Sequence, residues 1–152
     1  MATGLLNGTD LVIKMGATDG TDYVVAYATS CSLEISMDEI DQTNKDSSGW
    51  KQIIGGSRSW SVSSEALYQN EAITGPEKST FQSFWKFLGG AEQREKVYVE
   101  LSITGATSAA NNVFYSGDAY VTSLSVNGGT EDQSTYSVSL TGSGALSQTA
   151  TP

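Results

Sequence analysis

Three carboxylates that lie close together, Asp38, Glu39 and Asp41, are the side chains in this sequence best suited to chemistry. A pair of carboxyl groups can hydrolyse a glycosidic bond, because one protonates the leaving oxygen and the other acts as the nucleophile or as the base that activates water. The chain contains no histidine, so the commonest general base and every Ser-His or Cys-His nucleophile system are excluded. A chain of 152 residues also has little material for an enclosed sugar cleft. The sequence therefore favours a protein that is not an enzyme.

The other candidate sites are weaker. Cys31 lies in an alternating segment, which favours a packed thiol over a nucleophile, and a single cysteine forms no internal disulfide. Asp19 and Asp22 have the chemistry of a weak calcium site, but their spacing differs from an EF-hand loop and favours a turn. Trp50 and Trp60 suggest a sugar-stacking platform, which leaves a carbohydrate-binding module open. Phosphate-binding and nucleophile-elbow motifs are absent, and no cofactor or metal is predicted.

The charge distribution argues against tight binding to nucleic acid. The net charge is −9, all eight Lys and Arg lie at or before Lys96, and residues 97–152 contain only acidic charges. A protein that grips a phosphate backbone needs clustered bases that release counterions. The sequence also has no apolar run near 18 residues and no basic segment followed by an apolar one, so neither a membrane span nor a secretion signal is predicted.

Alternating apolar and polar residues predict short strands along most of the chain. The predicted strands are residues 10–15, 23–29, 31–37, 57–64, 97–103, 113–126 with a bulge near Gly117, and 136–141. We therefore predict a single, mainly β domain over residues 1–152: a β-sandwich or barrel of about six to eight strands with one α-helix packed against it. The small, polar residues 142–152 are predicted to form a flexible end.

The one predicted helix spans residues 74–90. Thr74 and Glu77 match a capping box at its start, and Gly89 and Gly90 end it. Apolar side chains recur at the spacing of one helical stripe, which predicts that they pack against the sheet. These core positions are Phe81, Phe84, Trp85 and Leu88.

A long polar connection, residues 38–56, separates two predicted strands. Connections within small β domains are usually much shorter, and longer ones generally have a use. This segment contains Trp50, Ile53 and Ile54, which disordered linkers seldom do. The sequence therefore predicts an arm that docks on another surface.

The order of these features resembles that of the major tail tube proteins of long-tailed bacteriophages. The first matching segment, residues 28–68, reads ATSCSLEISMDEIDQTNKDSSGWKQIIGGSRSWSVSSEALY, and the central helix follows it. The second, residues 116–146, reads SGDAYVTSLSVNGGTEDQSTYSVSLTGSGAL. The resemblance is one of pattern over nearly the whole chain, and neither segment is a strict motif.

The resemblance implies a structural subunit that forms hexameric rings. The rings stack into a tube whose inner sheets join in one barrel, and DNA passes through without being bound. It also implies that the long loop reaches the adjacent ring through Asp38, Asp41, Lys45, Asp46, Trp50 and Lys51.

Further expectations come from the same resemblance. The partners would be tape measure, tail tip and tail terminator proteins, and the location would be the virion tail after assembly in the host cytoplasm. An inner tube protein of a contractile tail or a type VI-like system shares the fold, so that alternative stays open.

Overall fold

The computed structural model describes residues 11–16, 23–25, 28–68, 78–79, 81–90, 94–103, 113–130 and 132–150. These residues form nine strands and one α-helix, which confirms the mainly β class; two of the strands contain only three and two residues. The elements are β1 (Leu11–Gly16), β2 (Tyr23–Val25), β3 (Ala28–Asp41), β4 (Ile53–Leu67), β5 (Lys78–Ser79), α1 (Phe81–Leu88), β6 (Val97–Ile103), β7 (Val113–Asn127), β8 (Thr135–Gly142) and β9 (Ser147–Ala150).

All nine strands belong to one sheet with the order β3-β4-β8-β7-β6-β1-β2-β5, and β9 pairs with β7 outside this path. Every pairing is antiparallel except the short contact between β2 and β5. Buried residues from both halves of the sheet form one core cluster, so the sheet curves around a single core. In the described part of the chain its two end strands, β3 and β5, do not pair, and the sheet does not close into a barrel.

The core follows the two-residue period of the strands. On β8, Tyr136, Val138 and Leu140 are at most 2% exposed, while the residues between them reach the opposite face. The same alternation buries Val97 and Val99 on β6. Burying such side chains contributes roughly 1.5–3 kcal/mol each. The alternation therefore fixes which face of the sheet is the core face.

Trp60, on β4, packs against the backbone at the gap between β8 and β9, two strands that follow one another along the same edge of β7. β8 ends at Gly142 and β9 begins at Ser147, and both pair with the same edge of β7. The Trp60 indole Nε1 donates a hydrogen bond of 3.1 Å to the carbonyl of Gly144. A Cβ on Gly142 would overlap the indole, and one on Gly117 would lie 2.8 Å from it. Only glycine leaves room for this ring.

The helix differs from its prediction in length and in the face that it buries. Lys78 and Ser79 form strand β5, α1 begins at Phe81, and the predicted capping box lies outside the described residues. Trp85 and Leu88, predicted in the core, are 54% and 38% exposed.

The buried stripe of the helix is Phe81, Phe84 and Phe87 instead. At 100° per residue this face is rotated by roughly 50° from the predicted one. Phe81 and Phe84 belong to both stripes, and their ring centroids lie 5.9 and 6.2 Å from that of Tyr136. The rotation comes from Phe87, which packs against the core in place of Trp85 and Leu88.

Two strand predictions also need correction. β7 is continuous through Gly117, and its bulge lies at Thr122, between the pairs Val121–Leu140 and Ser123–Ser139. The end predicted to be flexible contains β9, because pairing with Val113–Ser116 on β7 satisfies its backbone groups. Asp19 and Asp22 lie outside the described residues, so their prediction stays as it was.

Replacing Gly142 by alanine is expected to destabilise the protein by about 1–3 kcal/mol, because the new methyl group overlaps the Trp60 indole. Chemical denaturation of the monomer measures the change. Gly128→Ala is the matched control, since its Cβ meets only the mobile hydroxyl of Ser134, at 3.1 Å. Equal stability of Gly142→Ala and Gly128→Ala would contradict the steric argument.

Tyr136 makes stability depend on alkaline pH. Its hydroxyl is buried without a hydrogen-bond partner in the described ranges, and burial raises its pKa from 10.0 to about 12. Because the folded pKa is the higher, the stabilising contribution is complete below pH 10 and is lost as the pH rises to about 12. Tyr136→Phe should therefore gain stability relative to wild type over this interval. Tyr120→Phe, at a position that is 37% exposed, is the control and should show a smaller pH-dependent difference.

Candidate functional site

Residues 38–56, predicted as a loop, are mostly the end of a long hairpin. β3 continues to Asp41 and β4 begins at Ile53, so the connection is limited to residues 42–52. The pair Met37–Arg58 is followed by Glu39–Gly55, which places one extra residue on β4. This bulge breaks the alternation in the sequence, and the prediction therefore ended the strand too early.

The far half of the hairpin projects beyond the sheet. β8 pairs with β4 only through residues 61–67, so residues 35–41 and 53–60 have no other strand beside them in the described structure. At about 3.4 Å per residue this ribbon projects roughly 20–25 Å. We call residues 35–60 the arm. A two-stranded ribbon is only marginally stable in water, so the arm needs further contacts.

The tip of the arm is an ordered turn. The Gln52 backbone N–H donates to the Thr43 hydroxyl at 3.0 Å, and the Asp41 carboxylate accepts from the Thr43 backbone N–H at 2.8 Å. Hydrogen bonds to its carboxylate from the side chain and the backbone N–H of Thr43 lower the pKa of Asp41. A 3-10 helix, Lys45–Ser47, follows, and Gly49 with φ of +82° reverses the chain. The tip therefore presents a defined shape.

All the residues predicted to contact an adjacent ring lie on the arm and are exposed. They are Asp38, Asp41, Lys45, Asp46, Trp50 and Lys51. Trp50 is 78% exposed. The Lys51 ammonium lies 3.7 Å from the Glu39 carboxylate, but both side chains are about 60% exposed, and such pairs contribute little. Their role in contacts between rings stays a prediction.

Exposed apolar side chains concentrate on the arm. Their exposed fractions range from 47% to 78%, which is unusual for such large side chains. They are Ile35, Met37, Ile40, Trp50, Ile53 and Ile54. Strand pairing places Ile35, Met37 and Ile53 on one face of the ribbon and Ile40 and Ile54 on the other. This concentration of exposed apolar side chains marks the arm as an interaction surface. The sequence did not single out Ile35 and Met37, because their place in a predicted strand resembles that of core residues. Ile40 was also missed, although it lies within the predicted connection 38–56.

The two tryptophans do not form a sugar-stacking platform. Trp60 is 5% exposed and faces the core, whereas Trp50 lies at the arm tip. This arrangement removes the observation that favoured a carbohydrate-binding module.

Opposite the core, the strands β3, β4, β8 and β7 present a surface of small hydroxyl side chains, which we call the serine face. Its residues include Ser32, Ser36, Ser59, Ser61, Ser63, Ser123, Ser125, Ser137, Ser139 and Thr141. Hydroxyl oxygens of Ser32 and Ser63 lie 2.6 Å apart, and those of Ser36 and Ser59 lie 2.8 Å apart. Glu34 and Glu65 share this face, and no lysine or arginine occupies its described strand positions.

The sheet behind the serine face has a free edge on each side. β3 pairs only with β4 among the described strands. On the other side, β7 pairs with β8 through residues 119–127 but with β6 only through residues 115–119. The second edge of residues 120–127 is therefore unpaired in the described structure, which makes it available for pairing with another strand.

A groove of about 780 Å³ opens on the non-core face of β6, β7 and β9. Its lining includes Lys96, Tyr98, Glu100, Phe114, Asp118 and Thr149. The Lys14 ammonium lies 2.9 Å from the Glu100 carboxylate, whereas the Lys96 ammonium lies 3.7 Å from that of Asp118. Within the described ranges, no group of three or more Cys, Asp or Glu side chains is arranged to hold a metal ion. The described helix is also too short to cross a membrane.

Comparison with solved structures shows a shared fold. A chain in the virion of a native gene transfer agent particle has 23% identity and a TM-score of 0.74, with 96% of this chain and 100% of that chain covered. A chain of the SPP1 tail tube has 13% identity and a TM-score of 0.73, with 96% of this chain and 80% of that chain covered. A chain in the structure of an extracellular contractile injection system, the PVC sheath/tube terminator in the extended state, has 16% identity and a TM-score of 0.68. The match covers 99% of this chain and 100% of that chain.

The family comparison covers nearly the whole chain. No curated protein sequence matches it. The sequence model of the family described as phage tail tube protein matches residues 5–148, which include the arm, the serine face and all of the groove lining except Thr149. The chain belongs to the phage tail tube protein family.

Proposed function

We propose that this chain is a structural subunit that forms hexameric rings, and that the rings stack into a tube through which DNA passes. The observation that carries the proposal is the serine-faced sheet with its two free edges. A related tail, that of an empty gene transfer agent particle, has C6 symmetry. The proposed role is structural and requires no catalytic turnover.

Pairing between the two free edges closes the ring. β3 runs antiparallel to β7 within the subunit, and cyclic symmetry keeps that direction between neighbours, so β3 of one subunit adds to β7 of the next as an antiparallel strand. Four strands from each of six subunits form the barrel. With strands about 4.8 Å apart, it is roughly 37 Å across before strand tilt widens it.

The serine face lines the channel in this arrangement. Helix α1 packs on the core side of the sheet, so the helix lies on the outside of the tube. Glu34 and Glu65 are then the carboxylates of the channel wall, and no base on the described strand positions of this face holds a phosphate. Without basic side chains in the wall, no counterions are released from the DNA on contact, so a neutral to negative channel does not bind it and lets it slide.

The arm joins successive rings. Its tip and the connection 128–134 lie at opposite ends of the serine-faced sheet, so rings stack head to tail through a heterologous contact. Tape measure, tail tip and tail terminator proteins would occupy the interior and the ends of the tube. The location is the virion tail, after assembly in the host cytoplasm.

An inner tube of a contractile or type VI-like system is the second candidate. Trp85 and Leu88 on α1 are exposed, and α1 lies on the proposed outer surface. An apolar outer surface suits a surrounding sheath. A tube that never binds a sheath leaves these side chains in water.

Shortening the arm tip tests the stacking role. Residues 43–51 are replaced by Asn-Gly, a two-residue turn that fits between Gln42 and Gln52, because the Gln42 backbone N–H already donates to the Gln52 carbonyl at 2.9 Å. We expect a folded monomer with an unchanged melting temperature that forms no tubes in negative-stain micrographs. Tubes of normal length from this variant would contradict the assignment of the arm.

Cysteine labelling tests which face lines the channel. In a Cys31→Ala background, Ser63→Cys lies on the serine face and Gln82→Cys lies on α1, and both positions are exposed. A polymer-linked maleimide should label both in monomers but only Gln82→Cys in long tubes, whereas a small maleimide labels both. Fast labelling of Ser63→Cys by the bulky reagent in tubes would refute a channel-facing serine face.

A further inference from the structure

One edge of β7 is divided between two partners. β6 pairs with residues 115–119, and residues 120–127 are free for the β3 strand of a ring neighbour. β3 and β6 are both antiparallel to β7, so the incoming strand and β6 lie end to end on one edge. β3 has 14 residues, which exceeds the free part of that edge. Part of the incoming hairpin must therefore leave the plane of the sheet where β6 begins, at Val97.

Only one face of β6 is open to the segment of the hairpin that leaves the sheet. The core face of β6 is filled, because Val97 and Val99 are at most 2% exposed there. The non-core face carries the groove. We infer that the groove of one subunit seats the arm of its neighbour in the same ring. This inference rests on the proposed ring closure and names the surface that the arm crosses before its tip reaches the next ring.

The chemistry of the two surfaces is complementary. Pairing places Ile35, Met37, Glu39, Asp41 and Ile53 on the arm face that continues the core side of β3 and β4. This face is partly apolar, and it carries the carboxylates of Glu39 and Asp41 together with the guanidinium of Arg58, which lies opposite Met37.

The groove supplies the matching groups. Tyr98 and Phe114 are aromatic surfaces for the isoleucine and methionine side chains. Lys96 is half exposed, and its 3.7 Å distance from Asp118 is long for an ion pair, so it can contact a second carboxylate such as Glu39. A volume of about 780 Å³ accommodates several side chains.

Seating also removes two unfavourable features of the isolated subunit. It covers Ile35 and Met37, which are 57% and 56% exposed, and it supports a ribbon that is marginal alone. The arm and the free edge of β3 belong to the same hairpin. Ring closure and arm seating are therefore coupled.

Chemical cross-linking tests the inference on assembled tubes. Met37→Cys and Lys96→Cys are combined in the Cys31→Ala background, and a short bis-maleimide is added before denaturing electrophoresis. A contact within one ring links neighbours around the symmetry axis, so the ladder should end at six chains. Met37→Cys with Gln82→Cys is the matched control and should remain largely monomeric, because α1 packs on the opposite side of the sheet.

Each outcome has a separate meaning. A ladder that continues beyond six chains assigns the contact to adjacent rings and overturns the inference, as does the absence of cross-links in intact tubes. Both of these leave the proposed function standing. Failure of the wild-type chain to form rings or tubes rejects the proposed function and the inference together. If the first pair prevents assembly, Glu39→Cys with Thr149→Cys is judged by the same criteria.

Discussion

The close packing of the Trp60 indole on the backbone at Gly117 and Gly142 organises the remainder of the structure. The ring occupies the place where β8 stops, so its line of strand resumes only as β9. Because β8 stops there, β4 loses its partner beyond Ser61 and continues as the arm. The same interruption leaves Gly144 and its neighbours as one wall of the groove. The two proposed assembly surfaces, the arm and the groove, thus both depend on the contact between the Trp60 indole and the two glycines.

The curved sheet separates two tasks. Its core face is filled by aliphatic side chains and by the three phenylalanines of α1, and these supply the stability of the subunit. Small hydroxyl side chains predominate on its other face from β3 to β7, where the larger side chains include Tyr120, Glu34 and Glu65. Period-two alternation makes this separation possible, because neighbouring residues on one strand serve opposite faces. Assembly can therefore use the serine face and its edges without exposing the core.

The local pattern of apolar and polar residues was sufficient to predict a strand where the two kinds alternate without interruption. β6 and the segment Tyr136–Leu140 were predicted for that reason, and the family was recognised from the order of elements. It failed where a neighbouring strand decides the outcome. The extra residue on β4 near Gly56 concealed the strands of the arm, which was predicted as a loop, and the bulge at Thr122 depends on pairing with β8.

Tertiary contacts account for the remaining differences. Packing against the sheet decides that Phe87, and not Trp85 or Leu88, completes the buried face of α1, which its own stripe does not determine. The sequence suggested Trp60 as part of a sugar-stacking platform, because nothing in its own strand reveals the glycines opposite it.

The paired hydroxyls of the serine face have a mechanical consequence for a moving polymer. In the pairs Ser32–Ser63 and Ser36–Ser59 either oxygen can donate, so each pair reverses its polarity by rotating two hydrogens. Such a wall has no fixed pattern of donors and acceptors with which a passing phosphate could register. In a tube built from this subunit, these hydroxyl pairs would therefore give a passing phosphate no preferred position along the axis.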